Sequence, residues 1–291
     1  MFDFARAERL NRTYSIRLGW SHNEVVQESF PELVCHKIRD FQKDEGLDAD
    51  GIMGIETYSR WLDRMFEKLT VGRSSPFDLA VAGLIAVNRA KRAWLDDIVD
   101  PQNPTSYAVS RKRIDDFIRV GLGWTWQAPY LKDGDYQWCG AFVSWCYMHA
   151  GLSKNVRLFF LSSTYRLDCL GRGQAFQGHE PPKAGDGNSR LYVKMDENSG
   201  PHGKEDDDVR PGDVLLVGGT KRAYGDHITL VESYSNGVFT TLEGNATGMG
   251  PAATKREGVI RTTRPLGLQD GDHPSKYHAR RLIRFSEADF K

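Results

Sequence analysis

Long apolar runs are missing from this chain of 291 residues. The longest, Leu79 to Val87, is broken at Gly83 and falls far short of the roughly 20 residues that cross a bilayer. A core helix is its expected use. The first residues mix Asp3, Arg6, Glu8 and Arg9 with isolated apolar side chains, without the apolar centre or small-residue cleavage site of a Sec export signal. Net charge is lacking as well, because 39 Lys and Arg offset 39 Asp and Glu. With no overall field, neither nucleic acid nor a membrane is expected as a partner. Cysteine is scarce: Cys35, Cys139, Cys146 and Cys169 are the only four, and no two form a CxxC pair. That excludes a disulfide framework and a zinc-ribbon site, so free thiols are the expectation. Cys139 and Cys146 would sit two turns apart on one helix, about 10 Å in rise, too far to bond. No metal ion or organic cofactor is called for.

What is present divides into two parts. From Ser21 to about Phe66 apolar residues recur at helical spacing (Val34, Ile38, Phe41), pause at a glycine-punctuated turn from Gly46 to Gly54, and resume through Thr57 to Leu62. This predicts a small three-helix domain within residues 1–70. Val71 to Pro76 reads as a linker, and a second domain is expected over residues 77–291. It begins with helices over Phe77 to about Leu95 and Arg111 to Val120, separated by a break at Asp100 to Pro104. Gly171 to Pro211 is polar and rich in Gly and Pro, which predicts an exposed loop. Its Glu205 to Asp208 run lacks the alternating ligands of a calcium loop and reads as a solvated face. Beyond Pro211 the period changes to two. Strands are expected at Asp213 to Val217, His227 to Tyr234, Val238 to Glu243, Gly258 to Thr263 and Arg280 to Phe285, in an antiparallel sheet. The fold class is α+β, with helices packed on that sheet.

Cys139 stands where a polar loop meets the apolar run Gly140 to Gly151. A cysteine at a helix start gains from the positive dipole end and from backbone N–H groups that can also hold an oxyanion. An isolated cysteine in such a run is more often a packed core residue. A nucleophile also needs a base to take its proton and a third group to orient that base. His227 opens a strand, and Glu243 and Asn245 close the next. Gln137 is a second candidate oxyanion donor. Asp226 reads as a turn residue, and His149 lies ten residues along the Cys139 helix, about 15 Å away and too far to act as base. Trp124, Trp126, Tyr130 and Trp138 could wall a binding groove, although core packing is the commoner use of such rings.

Hairpin register decides whether these residues can meet. A two-residue turn at Asn236-Gly237 would pair Ser235 with Val238 and Leu230 with Glu243, turning Glu243 away from His227. A three-residue loop, with Gly237 left-handed, would pair Thr229 with Glu243 and His227 with Asn245, gathering the polar groups on one face. An odd loop or an equivalent bulge is therefore expected if the site is catalytic.

Two resemblances sharpen this reading. The run Ile38-Arg39-Asp40-Phe41-Gln42-Lys43, then Gly46-Leu47, Asp50-Gly51-Ile52, Gly54 and Thr57, resembles the peptidoglycan-binding domain type 1 family over roughly 45 residues. That family has proline where this chain has Ile55. Trp138 to Trp145, Pro211-Gly212-Asp213-Val214, Gly225-Asp226-His227-Ile228 and Glu243-Gly244-Asn245 resemble the CHAP amidohydrolase/peptidase family, across most of residues 77 to 288. The resemblance implies a papain-like fold with Cys139 as nucleophile, His227 as base, Glu243 as its orienter and Asn245 as a polar neighbour. It implies cleavage of a peptidoglycan amide, either muramoyl-L-alanine or a bond of the stem or cross-bridge. Two alternatives stay open: a cysteine amidase, deamidase or transferase acting on a protein or small molecule, and a catalytically dead wall-binding protein. A wall hydrolase made in the cytoplasm without a Sec signal would reach its substrate by holin-type release, as an endolysin, or by specialised secretion, as an antibacterial effector. An effector would bring a secretion apparatus and an immunity protein as partners.

Overall fold

A computed structural model describes residues 2–20, 31–71, 78–98, 113–122, 138–152, 158–159, 168–169, 191–196, 200–201, 209–218, 227–247, 257–265, 278–285 and 287–290. The chain divides into two compact units, Met1–Lys68 and Leu69–Lys291. Among the described residues no helix is long and apolar enough to cross a membrane.

The first unit contains helices α1 (Phe4–Leu18), α2 (Pro31–Asp44) and α3 (Ile55–Thr70). α1 precedes the helical pattern read from Ser21 and lies within the expected residues 1–70. Asp3 caps α1 by accepting from the Arg6 N–H at 2.9 Å, and Gly19 closes it in a left-handed conformation. Ala7, Leu18, Val34, Cys35, Ile38, Met53, Tyr58 and Leu62 fill the interior. The turn between α2 and α3 is held by two buried amides rather than by apolar contact alone. Gln42 accepts from the Gly51 N–H at 2.7 Å and donates to Asp50 Oδ1 at 2.9 Å, while Asn11 donates to the Gly51 carbonyl at 2.9 Å and accepts from the Met53 N–H at 2.7 Å. Buried amides satisfied this way lock one backbone conformation.

Gly51 adopts φ +70, and a Cβ there would stand 2.7 Å from the Phe2 ring and 2.9 Å from the Cys35 carbonyl. We expect Gly51→Ala to destabilise the first unit by about 1–3 kcal/mol through backbone strain and this crowding. Limited proteolysis and thermal melting check it, with the second unit's transition unmoved.

The second unit is α+β. Its described helices include α4 (Leu79–Ile98), a π-helical turn (Phe117–Leu122), α5 (Cys139–Met148) and a 3-10 turn (Glu287–Phe290). Beside a small pair, β1 (Leu158–Phe159) with β2 (Asp168–Cys169), it builds a seven-stranded antiparallel sheet. The strands are β3 (Leu191–Asp196), β4 (Gly200–Pro201), β5 (Val214–Gly218), β6 (His227–Ser235), β7 (Val238–Thr247), β8 (Glu257–Pro265) and β9 (His278–Arg284), in the order β4-β3-β9-β5-β6-β7-β8. β3 corrects the expectation of a loop throughout Gly171 to Pro211. Its Leu191-Tyr192-Val193 core is β-prone but short, and its partner β9 lies far along the chain, so polar composition hid it.

The turn Pro211–Gly212 ties the layers together. Tyr147 of α5 donates its hydroxyl to the Gly212 carbonyl, and Arg284 of β9 grips the Asp213 carboxylate through two bonds at 2.7 and 2.6 Å. Burial raises the Asp213 pKa, and the Arg284 pairing opposes that rise.

Candidate active site

Cys139 is the first residue of α5, and the first intrahelical bond runs from the Phe142 N–H to the Trp138 carbonyl at 2.9 Å. The amides of Cys139 to Ala141 therefore precede the helical ladder and stand at its positive end. Aromatic packing fixes that end. Phe117 of the π-helical turn stacks on Trp138 at 5.5 Å and meets Phe142 and Trp145 edge-on at 5.3 and 4.9 Å. Trp138 is thus a core residue, not part of a groove wall. Across the helix end lies Gly244, where a Cβ would fall 2.5 Å from the Phe142 Cβ and 2.7 Å from the Trp138 ring. Only a residue without a side chain lets β7 come this near to α5.

His227, the first residue of β6, hydrogen-bonds both Cys139 and Glu243. Its Nε2 lies 3.0 Å from Glu243 Oε2, which leaves Nδ1 as the nitrogen for the thiol. Cys139 is fully buried and the His227 side chain is 13% exposed, so the histidine is the open edge of the pair. Burial works against a charge on His227. The bonds to Cys139 and Glu243, with the Glu243 charge, outweigh that and hold its pKa up at about 10.

Glu243 is wholly buried and fully bonded. Arg264 of β8 donates from Nε to Oε1 at 2.8 Å and from its terminal nitrogen to Oε2 at 2.6 Å, and the Thr241 hydroxyl donates to Oε1 at 2.6 Å. Burial alone would raise the carboxyl pKa. The bonds from Arg264 and His227 overcome it and keep the group well below the usual carboxylate range. A fixed anion beside the imidazole holds the ring's orientation and favours its charged form.

The register that makes this possible differs from the three-residue loop considered above. Asn236 and Gly237 both have positive φ, 49 and 75, and form a two-residue turn with Ser235 opposite Val238. The pairing then slips by one residue between Val231 and Ser233, so that Leu230 faces Leu242. Continued from there, Thr229 falls beside Glu243, and His227 shares its face. The bulge supplies the parity that the turn does not.

Of the two candidates for the His227 Nε2, Glu243 is the bonded one. Asn245 sits half-buried in a second irregularity, between Glu243 and Ala246, with a left-handed φ of 58. Gln137, Trp124, Trp126, Tyr130, Asp226 and the Glu205 to Asp208 run lie outside the described residues. Sequence reasoning missed Thr241 and Arg264. Their signal was the alternation of β7 and β8, legible only once the β7–β8 pairing is known.

A buried thiol bonded to an imidazole, itself bonded to a fixed carboxylate, is an arrangement able to activate a cysteine as a nucleophile. A comparison with known families matches residues 131–245 to the CHAP domain. The match supports a CHAP-type cysteine/amidase domain over that segment, and that domain type suggests amidase or peptidase activity. No curated protein and no solved structure matches the chain.

Proposed function

We propose that the second unit hydrolyses an amide bond of peptidoglycan through a covalent thioester on Cys139. The observation that carries this reading is the continuous chain Cys139–His227–Glu243, in which one imidazole bonds both thiol and carboxylate. The Cys139 thiolate attacks the amide carbonyl carbon, and the oxyanion is received by the amides that begin α5. His227 then gives its proton to the leaving nitrogen as the C–N bond breaks. Water, deprotonated by His227, cleaves the thioester to a carboxylate and restores the thiol. Glu243 orients the ring and stays ionised, and Asn245 is a polar neighbour of the histidine. The first unit docks on the wall, which raises the local concentration of substrate at the site.

Digestion of purified sacculi tests the reading. New primary amines without new reducing sugar ends are expected, and mass spectrometry of the fragments names the bond. Release of reducing ends alone would overturn it. Cleavage of a protein or small-molecule amide, with intact sacculi untouched, would move the same chemistry to another substrate.

Arg264 should act on the rate through Glu243. We expect Arg264→Leu to lower kcat by about 10- to 100-fold, as misplacement of a catalytic group does, with KM little changed. Without the arginine the buried Glu243 carboxyl titrates higher, so the acid limb of the pH–rate profile should move upward. A limb that stays in place would argue against this role.

A further inference from the structure

The bulge that aligns the site carries a buried charge. Glu232 is the extra residue between Val231 and Ser233, and it is 8% exposed. Its carboxylate receives Lys91 Nζ of α4 at 2.9 Å and Arg261 Nε of β8 at 2.6 Å. Arg261 in turn lies over the Trp94 ring, one helical turn beyond Lys91, at 5.9 Å. The residue before the bulge is pinned through its backbone, because the Gly212 N–H donates to the Val231 carbonyl and the Val231 N–H donates to the Asp213 carbonyl, both at 2.8 Å.

We propose that Glu232, Lys91 and Arg261 form a clamp that fixes the β6 bulge and thereby sets the strand register in which His227 meets Glu243. They are positioning residues and touch none of the reacting groups. The Asn236-Gly237 turn on its own specifies the unbulged register, which pairs Leu230 with Glu243 and places His227 and Glu243 on opposite faces. A bulge sacrifices ladder bonds and needs a reason to persist. A buried carboxylate that finds its two cations only at the bulged position supplies one, since the charge would be left uncompensated elsewhere. The proposal rests on the Cys139–His227–Glu243 site but not on the identity of its substrate.

Two variants separate register from simple stability, both in a Lys91→Met background so that no buried ammonium is left unpaired. In Lys91→Met/Glu232→Val the extra residue remains without its anchor, and a β-branched side chain favours regular pairing. In Lys91→Met with Glu232 deleted, the two-residue turn leads straight to Val231 opposite Thr241, the native register without a bulge. Titration of the His227 imidazole by NMR is the readout, with hydrolysis of sacculi alongside. We expect the substitution to drop the His227 pKa from about 10 toward its ordinary 6.5 and activity by at least about 100-fold. The deletion should keep the high pKa and most of the activity. A stability role alone would move both variants alike. The proposal is overturned if the substitution keeps the high pKa, or if the deletion folds and loses it. Should neither double variant fold, Glu232→Gln decides. Two His227 signals, one titrating high and one near 6.5, support the clamp; a single high-titrating signal overturns it. Loss of sacculus hydrolysis in the wild type, with a high His227 pKa intact, would sink the substrate assignment and leave the clamp standing.

Discussion

Cys139→Ala should fold as the parent does and hydrolyse its amide substrate about 10⁴-fold more slowly or worse. Where a cysteine is the nucleophile of a triad, its removal leaves only binding and the oxyanion donors, and losses of that size or larger are usual. The fold should survive because the change removes one sulfur from a site already packed by Phe117, Trp138 and Phe142. The expected cost is about 1 kcal/mol, a few degrees in Tm. Circular dichroism and fragment analysis of digested sacculi check the two halves together. Hydrolysis at the parent rate would exclude Cys139 as nucleophile.

Glu243→Gln should be the most damaging single change for stability and chemistry combined. It leaves Arg264, itself 14% exposed, without the anion that both of its bonds reach, and it removes the charge that supports the His227 cation. Breaking a buried pair from one side costs about 3–5 kcal/mol, and the amide's remaining hydrogen bonds keep the loss toward the lower end. Turnover should fall by about 10²- to 10⁴-fold, since the ring loses its orienting anion.

The pH dependence has a definite sign. Folding raises the His227 pKa from 6.5 to about 10, so its contribution to stability is complete below 6.5 and is lost as pH rises through about 10. Folding lowers the Glu243 pKa from 4.5, so that contribution is complete above 4.5 and fades as pH falls below it. The pair therefore stabilises the parent most between about 4.5 and 6.5. In Glu243→Gln that maximum should flatten, and the alkaline limb of activity, set by loss of the His227 proton, should move to lower pH.

The sequence made the ingredients of the site legible and left its assembly open. Cys139 at a loop-to-apolar boundary and His227 at the head of a β-period segment carry local signals, and both elements begin where those signals place them. The register between β6 and β7 does not. Turn chemistry at Asn236-Gly237 alone gives the wrong face for Glu243, and the correction comes from Glu232, whose cations lie on α4 and β8. Arg264 was invisible for the same reason. It stands opposite Phe239 in register, and it reaches Glu243 only because β7 and β8 lie side by side. β3 went unread because a short strand is recognised by its neighbour, and its neighbour β9 is remote in sequence.

Titration of the His227 imidazole by NMR in the full chain, assigned by loss of its signal in His227→Ala, probes the joined thiol, imidazole and carboxylate at their centre. A wild-type His227 that titrates near 10, falling toward 6.5 in Glu243→Gln, is the predicted result. A wild-type His227 that titrates near 6.5 and ignores Glu243→Gln would contradict the triad.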